Sequence, residues 1–389
     1  MAIIPRPLVP ATGAAVLIAA ALVLSGCSAS PGAAQPEPSA DQSTAQIDAT
    51  ADYDSLTGPI DSWPQIGAVA DVPDLTGSTV WYVPMVGGIP TMATIGAGME
   101  SALANLGVTT KTCDGQGLPT AIADCLRKAR AQSASAVVTS YIDYNVAASA
   151  FEELVDAGIP VLLGGVAPSA DRPAGNGLAY FEQEIYNGKI FELAASAVVA
   201  ANADGGDVLW VRAMDTPTTQ RASDAGIERL GELCPSCTVK TVDASTPQLD
   251  KLASEVSAAL VAAPGVSTVF VPMDAYVPTV SQGIASAGKQ GRLAIVSTGA
   301  DLAGLQRIAG GQQTIDLGVP PVFTGWSFAH ALVQHLAGAP VSVQDETIAR
   351  FFNADNVEDL QLDSAGYASP DWYGDDAYKD AYLTAWGAK

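Results

Sequence analysis

Apolar and polar positions along the chain fall into two successive series of short buried runs and amphipathic stretches. Val80-Trp81-Tyr82-Val83-Pro84-Met85 is an apolar run followed, after a Gly/Pro loop, by Ala97-Gly98-Met99-Glu100. Val208-Leu209-Trp210-Val211 is a second run, followed by Ala225-Gly226-Ile227-Glu228 at the same spacing. Val138 to Asp143 and Val269 to Asp274 repeat the theme as strand-like runs ending in Asp. Each precedes a helix-like stretch ending Ala157-Gly158 or Ala287-Gly288. Short buried runs alternating with helical stretches about every 30 residues read as βαβ units on a parallel sheet. The doubled series predicts an α/β protein of two similar, doubly wound parallel-sheet lobes.

Within the first lobe, a helix over Thr91–Leu106 places Met92, Ile95, Met99, Leu103 and Leu106 on one stripe. Strands are expected at Ala136–Ser140, Ile159–Leu163 and Leu178–Phe181, with a helix over Val146–Ala157. The second lobe is expected to run from strand Asp207–Val211 through helix Ser223–Leu233 and strand Thr238–Val242. Helix Leu249–Ala263, strand Ser267–Val271, helix Pro278–Ala287, strand Leu293–Ser297, helix Leu302–Ala309 and strand Thr314–Leu317 follow. A helix over Trp326–Leu336 and a last helix within Asp371–Trp386 complete the pattern.

The N-terminus breaks it. Ala11 to Leu24 is apolar but short for a membrane span, and it ends Leu24-Ser25-Gly26-Cys27. Small residues directly before a Cys resemble a bacterial lipoprotein signal. The expectation is a signal peptide over residues 1–26, lipidation of Cys27 and a lipid-anchored flexible tether over 27–75. No other stretch reaches the length of a transmembrane helix.

The 389 residues are 48% hydrophobic, enough for two cores, and carry a formal net charge of −23. A chain of that sign without a Lys/Arg block repels polyphosphate, which argues against nucleic acid as a partner. Apart from Cys27 there are four cysteines, which allow three disulfide connectivities. Proximity favours Cys113–Cys125 and Cys234–Cys237; the Cys-Pro-Ser-Cys spacing also fits a redox pair or half a zinc site. No cofactor or metal is called for.

The leader, the tether and the two βα lobes look like the type I periplasmic-binding-protein fold, specifically the galactose- and ribose-type receptors of ABC importers. Cys113-Asp114-Gly115-Gln116-Gly117, Asp156-Ala157-Gly158-Ile159-Pro160-Val161 and Asn187-Gly188-Lys189 resemble segments of that family. The resemblance implies a three-segment hinge near Glu182–Gln183, Gly318–Val319 and Val341–Val343. It thus implies a first lobe of residues 76–182 plus 319–343 and a second of 183–318 plus 344–389. It also implies a monomer on the outer face of the membrane that captures a small solute, a sugar or sugar derivative, for a permease. The alternatives are a ligand sensor for a membrane signalling partner, or a binder of a nucleoside or other amphipathic solute.

In open α/β sheets ligands bind outside the carboxyl ends of the strands. That rule selects Met85 to Pro90, Asp114, Tyr141 to Tyr144, Gly164-Gly165, Met214 to Arg221, Asp274 to Tyr276 and Thr298 to Asp301. The expected ligand contacts are Met85, Ile89, Asp114, Tyr141, Asp143, Tyr144, Gly165, Met214, Arg221, Asp274, Tyr276 and Thr298. Asp143 and Asp274 hold matching positions, each near a Tyr, where a carboxylate accepts hydrogen bonds and a ring gives flat apolar contact; each could instead cap its helix. The family's sugar binders usually carry an Asn and paired Phe in the first loop. An Asp closes the fourth strand, an Asn-Asp pair follows the eighth, and a Gln stands at the last crossover. This chain has Gly87, Gly88, Ile89 and Pro90, then Gly165, Met273-Asp274 and Gly318, so only Asp274 survives. No nucleophile elbow, His-Glu-x-x-His, P-loop or dinucleotide fingerprint is present, so no enzyme is expected.

Overall fold

The computed structural model describes residues 49–181, 184–202, 205–342 and 348–389, without the side chains of 184–187. The expected signal peptide, Cys27, the start of the tether, the Glu182–Gln183 crossover and Val343 lie outside the described residues.

The first lobe is built on β1 (Thr79–Pro84), β2 (Thr109–Thr112), β3 (Ala136–Ser140), β4 (Val161–Gly164) and β5 (Leu178–Phe181). All pair in parallel, in the order β2-β1-β3-β4-β5. Helices α1 (Pro90–Ala104), α2 (Pro119–Ala131) and α3 (Ala148–Asp156) connect them. The second lobe opens with helix α4 (Glu184–Ala201) and holds β6 (Asp207–Ala213), β7 (Val239–Ala244), β8 (Val266–Val271), β9 (Ala294–Thr298) and β10 (Ile315–Gly318). Helices α5 (Pro217–Leu233), α6 (Leu249–Ala262), α7 (Val277–Ser286) and α8 (Leu302–Ala309) link these strands. Its strand order is β7-β6-β8-β9-β10, the same winding, with a further strand β11 (Arg350–Phe352) antiparallel on the β10 edge.

The strands read as unbroken apolar runs because both faces of each sheet are covered. Val80 and Tyr82 enter one core of the first lobe, Trp81 and Val83 the other. Val208 and Trp210, against Leu209 and Val211, divide the second lobe in the same way.

The repeated Ala-Gly pair has a packing cause. A Cβ on Gly98 would lie 2.6 Å from the Val322 carbonyl oxygen of helix α9 (Pro321–Leu336). A Cβ on Gly226 would lie 2.6 Å from the Trp210 ring and 3.0 Å from the Phe191 carbonyl oxygen of α4. In each lobe the helix after the first strand therefore lets a helix arriving from a crossover approach backbone to backbone. α9 packs on α1 in the first lobe, although its sequence follows the second.

Helix α5 begins at Pro217, six residues before the expected Ser223. Thr216 and Thr219 form a reciprocal capping box with Pro217 at the first helical position. Cys113–Cys125 and Cys234–Cys237 are both disulfide-bonded.

Two parts of the expected domain division need correction. Residues 49–75, assigned to a flexible tether, are packed on the body. Leu56 O accepts from Phe351 N at 2.8 Å, and Ile60 N donates to Tyr373 O at 2.6 Å. Trp63 stands 5.0 Å from the Phe323 ring and 4.5 Å from that of Tyr378. Single apolar residues at every third position (Ile60, Trp63, Ile66, Val69, Val72, Leu75) reach the first-lobe core without regular structure, so helix and strand periodicities miss them. The C-terminal helix Ala377–Ala385, expected in the second lobe, packs Tyr378 and Tyr382 into the first-lobe core around Trp326. The chain thus crosses between the lobes at two places beyond the expected hinge.

Gly98→Ala and Gly226→Ala are predicted to lower stability by about 1–3 kcal/mol through overpacking. Gly231→Ala, in open space on α5, should raise it by roughly 1 kcal/mol through helix propensity. Urea unfolding of the three variants checks this, and equal effects at all three would contradict the close-approach account.

Candidate functional site

The carboxyl ends of the two sheets face each other, and among the described residues the surface between the lobes includes three hollows. The central one encloses about 180 Å³. Its first-lobe wall is apolar: Met85, Ile89, Met92 and Tyr141, with Thr91 at the edge. Its second-lobe wall mixes Phe191, Met273, Leu317 and Val319 with Asp215, Thr216, Thr219, Asp274, Thr298 and Asp301.

Asp274 is fastened from behind the wall. Its Oδ1 accepts from Ser297 Oγ at 2.7 Å and pairs with Arg307 Nη2 at 3.2 Å; its Oδ2 accepts from Asp301 N at 2.8 Å. Asp316, wholly buried beside it, also accepts from Ala300 N at 3.0 Å. Burial, and then the Asp274 charge, push the Asp316 carboxyl well above the usual carboxylate range. Gln313 closes the network, accepting from Arg307 Nε at 2.9 Å while its amide donates to Ser297 Oγ and Asp316 Oδ2. Asp301 caps α8 through Gly304 N at 2.7 Å; burial and then the neighbouring Asp274 charge raise its pKa.

Asp215 stands across from this group at the end of β6. Thr246 N donates to its Oδ1 at 2.8 Å, and Tyr276 Oη to its Oδ2 at 2.7 Å. Tyr141 enters from the first lobe with φ +59°, a left-handed conformation rare outside glycine. Its ring lies over Gly165, where a Cβ would come within 2.7 Å of it. Burial raises the Tyr141 phenol to about 12.

Of the twelve expected contacts, Met85, Ile89, Tyr141, Asp274 and Thr298 line the central hollow. Asp143, Tyr144 and Arg221 line a separate hollow of about 620 Å³, and Met214 a third of about 250 Å³. Asp114 is an exposed loop staple, accepting from Gly87 N at 2.6 Å and Gln116 N at 2.8 Å. Gly165 makes room for Tyr141, and Tyr276 is buried behind Asp215.

The matching of Asp143 with Asp274 does not bring them together. Both stand three residues beyond a strand, but Ser297, Arg307 and the Asp301 amide hold Asp274 inward. Asp143 instead accepts from Thr218 Oγ1 of the second lobe at 3.1 Å, a bond between lobes. Burial raises its pKa against the opposing pull of the Thr218 and Thr216 hydroxyls and Arg221. Neither Asp caps its following turn.

Asp215, Thr216, Thr219 and Asp301 lie within the stretches chosen by the strand-end rule but were not among the individual contacts expected. Phe191 was missed altogether, because its place depends on how α4 returns to the sheet. His330 Nδ1 accepts from Trp386 Nε1 at 3.0 Å, and His335 Nε2 lies 3.2 Å from Gly177 O. Among the described residues no group of three or more His, Cys, Asp or Glu could hold a metal ion. Nor is any helix among them long and apolar enough to cross a membrane.

A family model described as periplasmic binding protein domain matches residues 80–340. The chain belongs to that family. No curated protein matches this periplasmic binding protein. A solute-binding protein of an ABC transporter from Agrobacterium vitis, bound with alpha-D-tagatopyranose, is similar at TM-score 0.64 and 20% identity over 77% of this chain and 99% of its own. A 5-methylthioribose transporter solute-binding protein from Thermotoga lettingae is similar at TM-score 0.61 and 16% identity, over 82% and 94%. The Caulobacter myo-inositol binding protein is similar at TM-score 0.60 and 17% identity, over 74% and 97%. These likenesses show the shared fold of a binding-protein family.

Arg307→Met should destabilise the protein by about 3–5 kcal/mol, since it leaves the Asp274 carboxylate buried without its counter-charge. Chemical unfolding at pH 7 measures this. A loss below about 1 kcal/mol would contradict the role given to the ion pair.

Proposed function

We propose that this periplasmic binding protein is the extracytoplasmic receptor of an ABC importer, capturing a small solute between its lobes and presenting the closed form to a membrane permease. The observation that carries the reading is the central hollow, whose walls come from strand ends of both lobes and whose size suits a small molecule. A ligand touching both walls makes contacts in the closed state that the open state lacks, and that difference is what drives closure. The Thr218–Asp143 bond between lobes favours the same state. Binding without covalent chemistry needs no general base or nucleophile in the hollow.

The lipoprotein-like leader places the body outside the cytoplasm, with Cys27 as the point of attachment. Two acyl chains would hold it stably where one would be marginal. A strongly acidic body gains nothing from an anionic membrane surface, so the lipid does the anchoring.

A ligand at one hundred times its dissociation constant should stabilise the protein by about 2.7 kcal/mol. A thermal-shift screen of sugars, nucleosides and small amphiphiles, followed by solution scattering on the hits, tests the proposal. The expected result is a shift with a more compact form at saturation. Ligands that stabilise without any compaction, or hits unaffected by blocking the central hollow with Ala213→Trp, would overturn it.

A further inference from the structure

The polar groups of the central hollow accept hydrogen bonds and have few left to donate. The Thr298 hydroxyl donates to Pro272 O at 2.8 Å, and that of Thr219 to Thr216 O at 3.0 Å. The strand-end amides are used as well. Gly299 N donates to Leu317 O, Ala300 N to Asp316 and Asp301 N to Asp274. The other polar side chains of the lining are the carboxylates of Asp215, Asp274 and Asp301, acceptors only when ionised, and the Tyr141 phenol, a single hydroxyl on the opposite wall.

Charge points the same way. Among the described residues no Lys, Arg or His lines the hollow. Arg307, the one guanidinium among the described residues that pairs with these acids, sits behind Asp274 and is spent on it and on Gln313. Three carboxylates of the lining, Asp215, Asp274 and Asp301, thus stand against one cation. The stretches outside the description beside the crossovers, 182–187 and 343–347, contain no basic residue in their sequence. At long range the whole chain carries −23, which draws small cations and repels anions.

A polyol presents each hydroxyl as donor and acceptor, and would leave its acceptor half unanswered here. An ammonium group donates only. The opposite wall, with Met85, Ile89 and Met92, offers adaptable apolar contact and no charge.

Resting on the reading of the hollow as the solute site, we propose that the solute is a small organic cation. Its amine or ammonium head faces Asp215 and Asp301, and its apolar body lies on the first-lobe wall.

The test uses matched probes on the whole folded body: cyclohexylamine against cyclohexanol, and phenethylamine against 2-phenylethanol, with D-ribose, 5-methylthioribose and myo-inositol as neutral polyols. Titration calorimetry should show each amine binding at least tenfold tighter than its alcohol and tighter than the polyols. Asp301→Asn keeps a good helix cap while removing the charge, and Asp215→Asn keeps an acceptor for Thr246. Each should narrow the amine-to-alcohol ratio at least threefold. Tight binding of a polyol with none of either amine would overturn the cation assignment and leave solute capture standing. Binding by no probe of any class would count against both. An amine preference unchanged in both Asn variants would overturn the assignment of the head group to these carboxylates.

Discussion

The buried carboxylate of Asp274 is the point on which the second-lobe wall depends. It follows β8, yet it is bound by Ser297 on β9, by the Asp301 amide after β9 and by Arg307 on α8, and Gln313 links Ser297 to Asp316 on β10 beside it. One side chain thus ties the ends of three neighbouring strands and the start of a helix. A charge in such a place is tolerated only when every lone pair is answered. The loops of this wall are consequently held in one arrangement before any ligand arrives, which reduces the ordering cost of binding.

The first-lobe wall is made differently. It has no buried ion pair, and its shape comes from Tyr141 held in a left-handed conformation over Gly165, with methionines around it. A rigid acidic wall opposes an adaptable apolar one. Closure brings them together, and the segment 49–75 has contacts in both lobes, Tyr53 and Leu56 on the second-lobe core and Ile60 to Leu75 on the first. Trp63, set between Phe323 and Tyr378, fixes that strap to the same helix, α9, that returns from the second lobe.

Much of the architecture was legible in the residues. Buried runs such as Val208–Val211 and the echo of Gly98 in Gly226 announce two parallel-sheet lobes, because parallel strands need cover on both faces and the covering helices need room. The strand-end rule chose loops that line the hollows between the lobes. It could not choose among residues within a loop, since that choice depends on partners distant in sequence: Arg307 turns Asp274 inward, Thr218 draws Asp143 aside, and Tyr276 holds Asp215. The strap escaped because its apolar residues follow neither the helical nor the strand period. The last helix was misplaced because nothing local says which lobe Tyr378 and Tyr382 will enter.

The central claim is that one solute bridges these unlike walls in the central hollow. The most direct measurement is a crystal structure of the protein with the tightest-binding amine of the probe set. The account predicts its nitrogen within hydrogen-bond distance of Asp215 or Asp301 and its apolar body against Met85 and Met92. Density for the ligand in the hollow beside Asp143 and Arg221, or on the outer surface, would contradict it.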